Sequence, residues 1–200
     1  MKKGYQYTVI FMIIVASFFT ALLSTAQTAM NPKIAENKEI ARRQAILYAF
    51  DVPSGQTNEE VSQTYDKYVK PDTRTIEGTS IEAFQLVDDA GQVKGYAFPF
   101  DGPALWGTIR GYLAVTEDLK EIKGLTFTEQ NETPGLGGRI DEEPFKNQWR
   151  GVPLPDGDLA YGIIGDKKVD AISGATQSST AVTKALNILK QNVISKWEVK

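Results

Sequence analysis

Between Tyr7 and Ala26 the chain carries no charged residue, and no other feature of its 200 residues limits its architecture so strongly. The run, Tyr-Thr-Val-Ile-Phe-Met-Ile-Ile-Val-Ala-Ser-Phe-Phe-Thr-Ala-Leu-Leu-Ser-Thr-Ala, is close to the ~20 residues that carry a helix across bilayer hydrocarbon. In hydrocarbon every backbone polar group must be satisfied within the protein, so a lone span has to be a helix. Lys2 and Lys3 precede it, and a basic flank stays cytoplasmic, which sends residues from about 30 onward to the outer face. A cleaved signal peptide is the competing reading, because the small residues Ser24-Thr25-Ala26 suit a peptidase. The run is longer than the ~7–15-residue core of such peptides, which favours a retained anchor. The span holds no ionisable group and so offers no ion path of its own. The expected division is a membrane anchor over 1–32 and an extracytoplasmic domain over 33–200.

Beyond the span there is ample material for one domain, with 42% apolar residues in the whole chain. There is no cysteine and no histidine. That excludes zinc held by thiolate or imidazole, cysteine-bound iron–sulfur clusters, and Cys/His or Ser-His-Asp catalysis. No catalytic residue and no metal ligand is expected, and any redox role needs an organic cofactor. Of 22 Lys and Arg, setting Lys2 and Lys3 aside leaves 20 against 25 Asp and Glu, so the exported part is near −5. Nucleic acid is not the expected partner of such a surface.

Residues 33–50 are charged and periodic, with Ile34, Ile40, Ile46, Leu47 and Phe50 among Glu, Lys and Arg, and read as an amphipathic helix that stops at Pro53-Ser54-Gly55. Thr57 or Asn58 ahead of Glu59-Glu60 marks a second helix start, with Val61, Tyr65, Tyr68 and Val69 as its apolar stripe before Pro71. The middle is β. Residues 81–87 and 93–100 flank the turn Asp88-Asp89-Ala90-Gly91, and 106–115 and 122–129 flank Glu117-Asp118-Leu119-Lys120. Successive strands with short turns predict an α+β fold, an antiparallel sheet with flanking helices covering one face. Gly95, Gly107, Gly111 and Gly124 within the strand patterns point to bulges or close backbone approach. A short helix over 142–150 places Phe145 and Trp149 together, residues 159–165 and 168–172 suggest further strands, and Val182, Leu186, Leu189 and Val193 recur at helical spacing.

Just ahead of that last helix stands Asp170-Ala171-Ile172-Ser173-Gly174-Ala175-Thr176. A helix N-terminus offers free N–H groups and a positive dipole end, so a phosphate on or beside Thr176 would sit where the backbone favours negative charge. The same residues also suit an ordinary helix start, with Ser173 or Thr176 as the cap. Local physics leaves both readings open. Upstream, Glu132-Thr133-Pro134-Gly135-Leu136-Gly137-Gly138 is neither a Rossmann fingerprint nor a P-loop. Thr133-Pro134-Gly135 fits a turn with Pro second and Gly third, which would thrust Leu136 outward as a platform for a flat aromatic ligand, or would be a plain surface turn. Trp106, Tyr112 and Phe127 suit a core better than a cofactor contact, although Trp106 beside Gly107 is placed to flank one. Lys167, Lys168 and Lys184 read as solvated charges or, for one of them, a phosphate partner. The acidic run 141–143 complements a helix dipole without catalysis.

The stretch 170–176 resembles the flavin-attachment signature of the FMN-binding domain family, Asp-x-x-(Ser/Thr)-Gly-Ala-(Thr/Ser), and every fixed position is met. The resemblance implies FMN joined by a phosphoester bond to Thr176, with Asp170, Ser173, Gly174 and Ala175 shaping the attachment turn. The run Glu129 to Gly138, Trp149 and the Leu105-Trp106 pair are similar to the NqrC component of sodium-translocating NADH:quinone reductases, and the RnfG component of Rnf complexes shares the Glu-Thr-Pro-Gly-Leu-Gly loop, the flavin motif and the single N-terminal span. The matches cover roughly 100–185 in family order. On this resemblance Glu132, Thr133, Leu136, Gly137 and Trp106 join the cofactor site. The implied protein is an electron-transfer subunit of a membrane-bound, ion-translocating complex, partnered by other membrane subunits and matured by a flavin transferase that uses FAD. The chain is short between Leu154 and Lys168, and Gln177-Ser178-Ser179 departs from the usual apolar-hydroxyl sequence, which leaves the choice of complex open. The rivals are a non-catalytic extracytoplasmic module that captures an anionic ligand reversibly, and a hydrolase pairing Ser173 with Lys167 or Lys168.

Overall fold

A computed structural model describes residues 4–198, which fall into two compact units, Met1–Glu39 and Ile40–Lys200. Lys2 and Lys3, on which the orientation argument rests, lie outside the described residues. Helix α1 (Tyr5–Ala49) is long and apolar enough in its first half to cross a membrane, and no residue of that apolar window is buried. The separate helix predicted over 33–50 is instead the continuation of α1, which runs through Pro32. Its last turns bury Ile46, Leu47 and Ala49 in the second unit.

Helix α2 (Asn58–Tyr68) begins as its sequence predicts. Thr57 Oγ1 accepts from the Glu60 N–H at 3.2 Å, and the Glu60 carboxylate accepts from the Thr57 N–H at 3.0 Å, a reciprocal capping box. The main sheet is an antiparallel meander of β1 (Val69–Ile76), β2 (Thr79–Val87), β3 (Val93–Pro103), β4 (Thr108–Thr116), β5 (Glu121–Glu129) and the short β6 (Val152–Pro153). A separate hairpin joins β7 (Gly162–Ile164) to β8 (Lys167–Val169). Helix α3 (Glu143–Asn147) and helix α4 (Thr176–Asn192) follow, with short 3-10 turns at Gly137–Asp141 and Ile194–Lys196. Register shifts at Arg110/Gly111 and Ala114/Val115 bear out the bulges expected from glycine in the strand patterns.

The helices cover both faces of the sheet, where the sequence suggests one. Period-2 alternation sorts the strand residues into two cores. Ala83, Tyr96, Phe98, Leu113 and Val115 face the core shared with α3 and α4, whereas Phe84, Leu86, Ala97 and Ala114 face the core that holds Ile46, Leu47, Val61 and Tyr65 of α1 and α2. That is why Tyr96 to Phe98 and Leu113 to Val115 are unbroken apolar runs: both faces are dry. Strand β1 gives no such sequence signal because Val-Lys-Pro-Asp-Thr-Arg-Thr-Ile, an edge strand, is largely exposed and carries Pro71.

Candidate functional site

Three segments meet at one end of α4. The first is the tip of the β3–β4 hairpin, where the Ala104 N–H donates to the Gly107 carbonyl at 2.7 Å and Leu105 and Trp106 project outward, 52% and 66% exposed. Trp106 is therefore neither a strand residue nor a core residue; the tight four-residue tip leaves its indole in solvent.

The second and third segments are two turns of the same design. In Thr133–Leu136 the Leu136 N–H donates to the Thr133 carbonyl at 3.1 Å, with Pro134 second and Gly135 third at φ 75°. In Ile172–Ala175 the Ala175 N–H donates to the Ile172 carbonyl at 3.0 Å, with Ser173 second and Gly174 third at φ 79°. A positive φ in third place is what such a turn demands and what glycine supplies without strain. The turns face each other: Leu136, 51% exposed, brings Cδ2 to 3.9 Å from where a side chain on Gly174 would begin.

Helix α4 starts at Thr176 with Ala175 as its N-cap and no side-chain cap. Neither Ser173 nor Thr176 caps it, so the first N–H groups of α4 remain available to an anion. The turn ahead is nevertheless rigid. Gln148 grips the Asp170 backbone with its side-chain amide, accepting from the N–H at 2.8 Å and donating to the carbonyl at 3.0 Å. Ser179 Oγ accepts from the Ile172 N–H at 3.0 Å. The Tyr161 hydroxyl donates to the Ser179 carbonyl at 2.7 Å, and burial pushes that phenol's pKa well above its ordinary range.

Two clefts of about 420 Å³ each meet at Thr176. One lies between the hairpin tip (Pro103, Ala104, Leu105) and the face of α4 formed by Thr176, Gln177, Thr180 and Lys184. The other lies between the two turns, lined by Glu132, Thr133, Leu136, Gly137, Gly174, Ala175, Thr176 and Ser178. Leu105, Thr176 and Gln177 border both.

Of the residues singled out from sequence, Glu132, Thr133, Leu136, Gly137, Gly174, Ala175 and Thr176 line the second cleft. Trp106, Ser173 and Asp170 do not. Trp106 takes part through its backbone, whose N–H donates to Glu132 Oε1 at 2.8 Å. The Asp170 carboxylate turns to Lys168 at 3.0 Å, and Ser173 is exposed on the turn. Sequence reasoning missed Leu105 as the lining residue of the hairpin pair, and missed Ser178, whose buried hydroxyl donates to Glu132 Oε2. The helical period held the signal: Thr176, Thr180 and Lys184 recur at i, i+4 and i+8 on the open face, leaving Ser178 and Ser179 to point inward.

The chemistry fits a flavin mononucleotide. An exposed hydroxyl stands at an uncapped helix start suited to phosphate. Exposed leucines on two walls supply apolar surface for a flat ring, Lys184 adds a cation, and each cleft lies in the roughly 300–1,000 Å³ range of small-molecule sites.

Comparison with known proteins agrees. Residues 105–190 match the FMN-binding domain family. The NqrC component of the Na(+)-translocating NADH-quinone reductase from Pasteurella multocida (strain Pm70) is 35% identical over 112 residues, 52% of this chain and 43% of that protein. Its counterpart from Haemophilus ducreyi (strain 35000HP / ATCC 700724) is 24% identical over 227 aligned positions, 90% of this chain and 88% of the relative. The crystal structure of NqrC from Shewanella oneidensis superposes with a TM-score of 0.68 at 27% identity, covering 80% of this chain and 97% of that one. In the stronger matches the chain spans less than half the length of its curated relatives. Both clefts except Pro103 and Ala104 fall inside the segment 105–190 that matches the FMN-binding domain family.

Proposed function

We propose that this chain is a membrane-anchored electron-transfer subunit that carries FMN in phosphoester linkage to Thr176 and works, as NqrC does by name, within a Na(+)-translocating NADH-quinone reductase. The observation that carries the reading is the exposed Thr176 hydroxyl at an uncapped helix start where two ligand-sized clefts meet. FMN, when bound, supplies the electron chemistry. The chain's own residues hold it: the first N–H groups of α4 and Lys184 favour the phosphate, and Leu136 and Leu105 give apolar contact that keeps water from the ring. Attachment forms a bond from Thr176 Oγ to the FMN phosphorus of FAD and breaks the pyrophosphate, releasing AMP, with the hydroxyl proton taken by a flavin transferase. The small Gly174 and Ala175 leave the hydroxyl open to that enzyme. The relatives favour this complex over Rnf, to which the loop and motif are also similar. Flavin that stays with the full chain in denaturant supports the reading; flavin released on unfolding favours the reversible binding module.

Orientation and tuning give two further expectations. If Lys2 and Lys3 hold the N-terminus in the cytoplasm, protease added to intact spheroplasts digests residues 33–200, and protection until lysis contradicts the topology. Leu136→Ala leaves covalent FMN in place but raises its reduction potential, because water then reaches the ring and the charge added on reduction is less penalised. The stability cost is small, since half of Leu136 is already exposed. Potentiometric titration reads the shift; an unchanged potential with a large loss of stability would make Leu136 a packing residue.

A further inference from the structure

Among the described residues Glu132 is the one buried carboxylate, 4% exposed, and it lies at the junction of the three segments that build the clefts. Its Oε1 accepts from the Trp106 N–H of the hairpin tip at 2.8 Å, and its Oε2 accepts from the hydroxyl of Ser178 in the first turn of α4. Its own N–H donates to Gln130 Oε1 at 2.9 Å. The loop is shaped around this contact. A side chain on Gly137 would begin 2.9 Å from Glu132 Oε2 and would strike Ser178 Oγ, so the tight passage of the backbone there depends on glycine. A carboxylate that was buried only to join two segments is expensive, because an amide would make the same bonds without the cost of desolvating a charge.

We propose that Glu132 is a positioning residue whose negative charge also lowers the reduction potential of the group on Thr176. The inference rests on the reading of Thr176 given above. As a clamp, Glu132 fixes the hairpin tip against the start of α4. As a charge, it sits two residues from Thr176 through Ser178, in a dry setting where Coulomb interactions are less screened, and it opposes the positive end of α4. Reduction adds negative charge to the ring, and a nearby carboxylate resists it. The contact through the Ser178 hydroxyl, not through a backbone N–H, leaves the helix start free for phosphate.

Glu132→Gln separates the two roles in the full-length chain carrying covalent flavin. The amide oxygen still accepts from Trp106, and the amide nitrogen can donate to Ser178 Oγ once that hydroxyl rotates, so geometry survives and charge does not. The expected result is unchanged flavin content and melting temperature, with the reduced-to-oxidised equilibrium shifted about tenfold toward reduction, or about 30 mV upward for two electrons. Ser178→Ala keeps the charge and breaks one bond, so it moves the potential far less than Glu132→Gln, and Glu117→Gln on an exposed turn leaves it unmoved. An unmoved potential in Glu132→Gln, an equal shift in Ser178→Ala, or an unfolded Glu132→Gln each overturns the proposal. A second arm uses the unmodified chain: Glu132→Ala, which loses both bonds, lowers the melting temperature and Glu132→Gln does not. A wild-type chain that never carries covalent flavin defeats the Thr176 reading alone, and the melting arm still tests the clamp.

Discussion

On the proposed attachment at Thr176, replacing that residue with alanine is expected to abolish covalent flavin and to leave the domain folded. Thr176 is exposed at the first position of α4, and its hydroxyl makes no hydrogen bond among the described residues, so truncation breaks nothing in the resting fold. Alanine is also the best helix former, which makes the change neutral or slightly favourable to α4. The neighbouring hydroxyls do not take over. Ser178 is buried against Glu132 and Ser179 holds the Ile172 N–H, so neither is presented to a modifying enzyme. Thr176→Ser, which keeps a hydroxyl at the same point, is expected to retain the modification. Flavin fluorescence of the denatured chain on a gel, with circular dichroism as the fold control, reads both outcomes; a fluorescent Thr176→Ala chain would move the attachment elsewhere.

The largest loss of stability is expected from Trp149→Ala. Trp149 is fully buried, with its ring edge-on to Tyr161 at 6.0 Å and to Phe145 at 6.5 Å. Truncating such a residue removes its transfer energy and leaves a cavity, at a cost of about 3–5 kcal/mol. The indole N–H has no hydrogen-bond partner among the described residues, so Trp149→Phe deletes an unsatisfied donor, itself worth about 1–3 kcal/mol of penalty, along with part of the ring. The phenylalanine variant should therefore lose much less than the alanine variant. Tyr161 links this cluster to the first turn of α4, so the alanine variant also loosens the floor of the site. Guanidinium denaturation of the detergent-solubilised chain measures both; a loss below about 1 kcal/mol for Trp149→Ala would contradict its core position.

Sequence reading reaches furthest where one local rule settles the outcome. The helix start at Thr57-Asn58, the Pro134-Gly135 turn and the spacing of Val182, Leu186 and Leu189 are each decided by a few neighbours, and the structure has them as expected. It fails where the deciding partner is distant in the chain. Strand β1 has no apolar alternation because its edge position buries little, and it exists because β2 offers a register from Val69↔Leu86 to Ile76↔Thr79. Trp106 has the sequence character of a strand start, but pairing of Pro103 with Thr108 confines it to a hairpin tip. At the site, the seven-residue motif and the glycine loop are each visible in the sequence. Their meeting is not, because Glu132 and Ser178 are 46 positions apart and nothing in either segment announces the other. Ser178 and Ser179 look like a departure from a familiar pattern, yet both are inward hydroxyls that hold the turn and the loop in place.

The central claim is that one residue, Thr176, bears the cofactor. Its most direct test is peptide mapping by mass spectrometry of the full chain produced with a flavin transferase and FAD. The account predicts that a single peptide, spanning 170–185, carries the added mass of one FMN less one water, with fragmentation placing it on Thr176. A chain without added mass under those conditions, or one whose flavin maps to Ser173, Thr133 or Thr180, would contradict it.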